Sequence, residues 1–372
     1  MKALLTLVLA ILFLSCAPDK NTTDRLPAEL DSLFAAHGEF SGVVLIAENG
    51  KPMYHRAFGY RNQEKKQLND TTTQFELASV SKQFTSMIIM MLQEERKLSY
   101  DDPLAKYIPE LPYPGITIRH LLTHTSGLPD YQAIMDENWD KSKVAGNNEI
   151  IQYLIAYHPP KRFEPGSQYE YSNTGYVLLG SIAEMASGKD FIGMCRERIF
   201  APLGMSQTDI RSLEEKAAIE NFAKGYVYVE NKGRYVAADS FPSSNYIVWL
   251  GKRKGPGRIS STSSDLLRWD RALYGTALVK PETLAEAFTP YRLSNDSLTN
   301  YGFGWDIDQH PTLGRKLWHT GSNPGYSTRI VRFVDADKTI ILLSNNAYPK
   351  INMLDHVLDS LLGLRARPNL PH

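Results

Sequence analysis

Phe75-Glu76-Leu77-Ala78-Ser79-Val80-Ser81-Lys82-Gln83-Phe84-Thr85 contains the chain's only Ser-x-x-Lys spacing, at Ser79 and Lys82. Apolar residues Val80, Phe84, Met87, Ile88, Met91 and Leu92 follow at helical intervals, which predicts a buried helix from Ser79 to about Arg96. Residues three apart on a helix share a face, so the Ser79 hydroxyl and the Lys82 amine can meet. A serine hydroxyl is a weak nucleophile until a base removes its proton, and a neutral lysine amine can act as that base. Lys82 must then lie well below the usual lysine pKa, a shift that desolvation between apolar elements produces. Amides at the helix start can also stabilise a developing oxyanion. About one Ser-x-x-Lys arises by chance in a chain of this size, so the motif needs support from the remaining sequence.

Working outward, Gly42-Val43-Val44-Leu45-Ile46-Ala47 reads as a strand and Asn49-Gly50 as a hairpin turn, with Met53 to Tyr60 returning. A helix is expected from Pro27 to His37. Downstream, helices are expected at Ile116 to Thr123, at residues 148–158 and 174–188, and from Ser263 to Leu273. Strands are expected at Tyr301 to Asp306, Leu317 to Thr320, Tyr326 to Val334 and Thr339 to Ser344, with a last helix from Asn352 to Leu362. Strands at both ends of the chain around a helical middle predict an α/β (α+β) fold, an antiparallel β-sheet flanked by helices with an inserted helical subdomain. The α/β part covers about 27–78 and 257–372, the helical part about 79–256, and the junction is a natural place for a cleft. Tyr131, Trp139, Tyr246 and Trp249 either line that cleft or pack in the core.

The composition of this 372-residue chain is globular, with 42% hydrophobic and 22% charged residues. Lys+Arg and Asp+Glu balance at 41 each, so no overall field favours nucleic acid as a partner. Lys65-Lys66 and Lys252-Arg253-Lys254 read as solvated loop charges. No cysteine cluster or His-Glu-x-x-His pattern suggests a metal. His120 and His124 stand four apart without a matching third ligand, and packing or loop-shaping is the better reading.

Two further segments suit the Ser79 chemistry. Tyr171-Ser172-Asn173 lies on a turn entering a helix: a phenol beside an ammonium can relay protons, and the Asn173 amide can bond both Lys82 and a substrate carbonyl. Trp318-His319-Thr320-Gly321-Ser322 reads as a strand on which Gly321 lets substrate approach the backbone. The Ser322 amide then pairs with that of Ser79 as an oxyanion hole. His319 fits a site residue or a satisfied core histidine equally well.

In this order, Ser79-x-x-Lys82, Tyr171-x-Asn173 and His319-Thr320-Gly321 resemble the serine hydrolases of the β-lactamase family, in particular the group of class C β-lactamases, D-alanyl-D-alanine carboxypeptidases and esterases. The resemblance extends to Leu98-Ser99-Tyr100-Asp101-Asp102-Pro103, Leu121 to Leu128, Pro165-Gly166, Ser261-Thr262-Ser263-Ser264-Asp265-Leu266 and Tyr301-Gly302-Phe303-Gly304-Trp305, covering about residues 28 to 350. It implies acylation of Ser79 by an ester or amide, such as a D-amino-acid peptide or small ester, and hydrolysis of the acyl-enzyme. Lys82 and Tyr171 share proton transfer, with either as the base. Asn173, His319, Thr320, Gly321 and Ser322 surround the substrate and oxyanion, and no cofactor or metal is implied. β-Lactamases usually carry lysine where His319 stands. A mostly neutral imidazole is a weaker carboxylate anchor, which makes β-lactam hydrolysis the less favoured alternative. A non-catalytic binding or scaffold protein retaining the fold is the alternative from another class.

Lys2, the apolar run Ala3 to Leu14, and Ser15-Cys16 have the layout of a signal peptide and resemble a bacterial lipoprotein signal. Residues 1–15 are then removed, Cys16 is lipidated, and 16–26 tether a domain spanning 27–372 to a membrane facing the periplasm. Phe13-Leu14 depart from the usual pattern, and plain cleavage with release to the periplasm is the alternative. Cys195 is left as a buried thiol. Oligomeric state is not encoded in any motif.

Overall fold

A computed structural model describes residues 21–241, 245–348 and 350–364. The expected signal segment and Cys16 lie outside the described residues. The chain divides into two compact units, Met1–Gly38 and Glu39–His372. In the first, helix α1 (Asn21–Ala36) starts six residues before the expected Pro27 and takes that proline into its interior. Leu26, Leu30 and Phe34, four apart, form its buried stripe.

The second unit is built on a six-stranded antiparallel sheet. Its strands are β1 (Gly42–Glu48), β2 (Lys51–Phe58), β3 (Asp306–His310), β4 (Gly314–Asn323), β5 (Tyr326–Phe333) and β6 (Lys338–Ser344), in the order β3-β4-β5-β6-β1-β2. The first and last strands in sequence are thus neighbours in space, with Val44 opposite Leu342 and Ile46 opposite Ile340. Every residue of β6 and nearly all of β1 are buried, because both faces of these central strands are covered. That explains their unbroken apolar runs. Asn49 and Gly50 both have positive φ, 51° and 70°, the backbone of a two-residue hairpin loop.

Between the halves of the sheet lie the helices, among them α2 (Lys82–Glu94), α3 (Asn173–Ser187) and α4 (Ser263–Ala272). α3 opens with Ser172, whose hydroxyl accepts from the Gly175 amide, and stops at Gly188 in the left-handed region. α4 is capped by Thr262.

The expected helix at Ser79 resolves into a 3-10 turn, Ala78–Ser81, followed by α2 from Lys82. The segment expected as a strand from Tyr301 is a turn, and the strand begins at Asp306. Gly304 (φ 82°) bends the chain there, and its absent side chain leaves room for the Lys82–Gln83 backbone.

α4 is tied to the sheet by a buried ion pair: Arg332 Nε donates to Asp270 Oδ1 at 2.6 Å, and both residues are fully buried. Removing one member leaves the other charge in a dry site. Asp270→Ala is expected to lower stability by about 3–5 kcal/mol, measured by urea unfolding; a loss below ~1 kcal/mol would show that the pair does not anchor the helix.

Candidate active site

The turn carrying Ser79 is held from both sides. The Leu77 amide donates to Ile259 O at 2.8 Å, and Thr328 Oγ1 donates to Leu77 O at 2.7 Å. Ala78 follows with φ 49°, a left-handed conformation that costs a non-glycine residue about 1 kcal/mol and persists because its neighbours are pinned. Ser79 is consequently presented half-buried at the head of α2.

Lys82 is completely buried. Its Nζ lies 3.1 Å from Ser79 Oγ, 2.8 Å from Asn173 Oδ1 and 3.0 Å from the Pro256 carbonyl oxygen. Burial pushes the amine well below the usual lysine range, and the positive charge of Arg253 adds to the effect. The two carbonyl oxygens can only accept, so they take the two N–H groups of a neutral amine. The remaining lone pair then faces the Ser79 hydroxyl.

Tyr171 places its ring centroid 4.7 Å from Lys82 Nζ. Although 40% of the residue remains exposed, its packed surroundings push the phenol up, with nearby Ser79 opposing the shift. Lysine and phenol are therefore driven apart, one towards a free base and the other towards a retained proton.

His319 is 2% exposed. Its Nδ1 lies 2.5 Å from the Thr320 carbonyl oxygen and its Nε2 lies 2.8 Å from Tyr301 OH. A carbonyl accepts only, which places the proton on Nδ1 and leaves Nε2 to accept from Tyr301. Burial pushes the imidazole down to about 3. Both ring nitrogens are engaged within the protein, and the ring lies beneath the strand surface while Ser322 is exposed.

Gly321 serves a different close approach from the one expected. A Cβ there would stand 2.1 Å from Leu77 O and 2.2 Å from Thr328 Oγ1. The nucleophile's own turn, not substrate, occupies that space. β4 thus seats the Ser79 turn directly against the residue preceding Ser322, and Thr320 and Ser322 flank this contact along the strand.

His124 (φ 58°) has the loop-shaping task expected of it: it accepts the Ser172 amide on Nδ1 at 3.0 Å and so shapes the Tyr171–Asn173 turn. Its ring packs 4.3 Å from Tyr171 and 4.6 Å from Tyr301. His120 instead accepts the Thr117 amide within its own helix cap, so the two histidines have separate tasks. Arg253, read as a solvated loop charge, is 8% exposed and donates to Tyr131 OH. Tyr131 and Trp249 are core residues at 1% exposure each, while Tyr246 and Trp139 remain half-buried. The unusual pairing of a charge run with apolar neighbours, Arg253 before Gly255-Pro256-Gly257, was the one available signal.

A family model described as Beta-lactamase matches residues 30–362. The chain is 43% identical over 321 residues to a penicillin-binding protein of Bacillus subtilis (strain 168), covering 85% of this chain and 71% of that one. It is 26% identical over 349 residues to a D-aminopeptidase of Cereibacter sphaeroides, covering 94% of this chain and 64% of that protein. The solved penicillin-binding protein of Bacillus halodurans superposes with a TM-score of 0.76 at 25% identity, over 88% of this chain and 98% of its own.

Two predictions follow from the site's packing. Gly321→Ala is expected to destabilise the fold by about 1–3 kcal/mol through overpacking against the Ser79 turn, read as a lower urea midpoint. Neutral His319 makes stability pH-dependent. The folded form resists protonation down to about 3, whereas an unfolded histidine protonates near 6.5. The unfolded chain therefore binds more protons between these values, and stability falls as pH drops through that window. Between pH 7 and 5 the loss from His319 is expected to be roughly 2 kcal/mol. His319→Gln should flatten that part of the urea-midpoint profile, and an unchanged slope would refute the buried neutral ring.

Proposed function

The chain belongs to the Beta-lactamase family of serine hydrolases, and we propose that it cleaves an ester or amide through an acyl-enzyme on Ser79. The observation that carries this reading is the three-way hold on Lys82, which directs a neutral amine's lone pair at the Ser79 hydroxyl. Lys82 takes the Ser79 proton as Oγ attacks the substrate carbonyl, and the oxyanion forms against the amides of Ser79 and Ser322. Tyr171, with its proton retained, donates to the leaving group. Water then attacks the acyl-enzyme, with the same groups acting in reverse. Asn173 fixes the amine and His319 fixes Tyr301 and the Thr320 carbonyl beneath the strand.

For substrate, the names of two relatives, penicillin-binding protein and D-aminopeptidase, support a D-amino-acid peptide or amide. A neutral His319 with both nitrogens occupied offers no cation for a substrate carboxylate, which supports an amide or ester over a β-lactam. We further propose that the enzyme works in the cell envelope, anchored through a lipid on Cys16. Cys16→Ala should then move full-length protein from the membrane to the soluble fraction.

The test is intact-protein mass spectrometry after exposure to an activated ester, a D-amino-acid amide and a β-lactam, each separately. An adduct on Ser79, or turnover lost in Ser79→Ala, is expected with the ester or amide. Lys82→Ala should slow acylation by about 10²–10⁴-fold. Neither adduct nor turnover with any reagent would favour the non-catalytic alternative.

A further inference from the structure

Residues 252–257 pass along the head of α2. Thr85 Oγ1 donates to Gly255 O at 2.7 Å, Lys82 reaches Pro256 O, and the Lys254 amide donates to Asn147 Oδ1 at 2.7 Å. Gly255 (φ 106°) is seated against the Tyr176 carbonyl, only 2.0 Å from where a Cβ would stand. This loop is therefore fixed between α2 and α3, and the charges it carries are fixed with it.

Its three cations have different fates. Lys252 is exposed. Lys254 is neutralised by Glu184 and Asp190. Arg253 is more than nine-tenths buried, gives one N–H to Tyr131 OH, and has an orphaned Nε. Glu76, the carboxylate that acts on it through space, is itself held by Lys216 and Asn323. Gly257 separates the guanidinium from the nucleophile's turn: a Cβ built there would lie 3.6 Å from Arg253 Nη2 and 3.7 Å from Ala78 O.

The groups around Lys82 come from every element packed on it. His124 and His319 are buried and held neutral. Tyr171, Tyr176 and Tyr301 are phenols pushed up by burial. Asn173 and the Pro256 carbonyl are uncharged. Among the described residues acting on the amine, Arg253 is the one that carries charge at neutral pH.

We propose that Arg253 is a positioning residue for the reaction: its fixed, buried guanidinium keeps Lys82 unprotonated and ready to accept the Ser79 proton. This rests on the reading of Lys82 as the proton acceptor. An arginine does not give up its proton, so two like charges in this dry pocket are relieved by loss of the lysine proton. A surface arginine screened by water would do little; burial, with no carboxylate in contact with it among the described residues, makes the charge effective at range.

The experiment is the pH dependence of kcat/KM for an activated ester, from about pH 5 to about pH 9, with the full chain. The variants are Arg253→Gln, Arg253→Met, Arg253→Lys and Tyr131→Phe, each checked for folding by circular dichroism. Removing the positive charge raises the Lys82 pKa, so the acidic limb should move up by about one pH unit in the Gln and Met variants. Either neutral variant suffices if the other does not fold. Arg253→Lys should hold the limb closer to the wild-type position. Tyr131→Phe disturbs the same packing while keeping the charge, and should lower activity without moving the limb. A limb unmoved in a folded neutral variant, or moved equally by Tyr131→Phe, overturns the proposal. Turnover retained in Ser79→Ala would instead overturn the acyl-enzyme reading on which it stands.

Discussion

Lys82 is an amine buried without a counter-charge, and the arrangement of the surrounding structure follows from that constraint. A protonated lysine in such a place would need a carboxylate or several strong acceptors. Here the Asn173 side-chain oxygen and the Pro256 carbonyl accept its two N–H groups, and the Ser79 hydroxyl faces its lone pair. All three are neutral, and together they match what a free amine can offer. The amine acts as a base because protonating it in this pocket is unfavourable.

Keeping those partners in place occupies much of the molecule. Asn173 is set by the Ser172 cap and by His124, which grips the turn before α3. Pro256 is set by the loop locked to Thr85 and Asn147. Ser79 is set by the strained Ala78 turn, itself pinned by Ile259, Thr328 and the bare backbone of Gly321. The six-stranded sheet supplies β4 and β5 for that last contact, and the Arg332–Asp270 pair joins the sheet to α4.

The ring cluster of Tyr171, His124, Tyr301 and His319 gives the other side of the cleft its electrostatics. Each ring is held in its neutral form by burial, so the rings themselves offer dipoles rather than charges. Arg253, on the loop that carries Pro256, supplies positive charge that acts on Lys82. The site is thus asymmetric in its groups: the Lys82 amine is depressed as a base while the Tyr171 phenol retains its proton. A serine hydrolase uses that asymmetry for proton transfer in one direction on acylation and in the other on deacylation.

The sequence alone determined the features written in local periodicity and short spacing. The Ser79–Lys82 pair follows from i, i+3 on a helical turn. Strands β1 and β6 follow from their apolar runs, the hairpin at Asn49-Gly50 from its turn residues, and α3 and α4 from their periodicity. Tertiary structure decided everything that depends on what lies nearby in space. Asn173, 91 residues from Lys82, bonds it as its residue type suggested, but nothing in the spacing pointed to the Pro256 carbonyl, 174 residues away. Gly321 looked like room for substrate but is room for the Leu77–Ala78 backbone. Tyr301 to Asp306 alternated like a strand, yet Gly304 bends there to admit α2. Arg253 looked like one of three solvated cations, and only packing shows it to be buried, with no carboxylate in contact with it among the described residues. Desolvation is a property of the assembled fold, so the charge state of Lys82, and with it the chemistry, was set only when the distant segments closed around it.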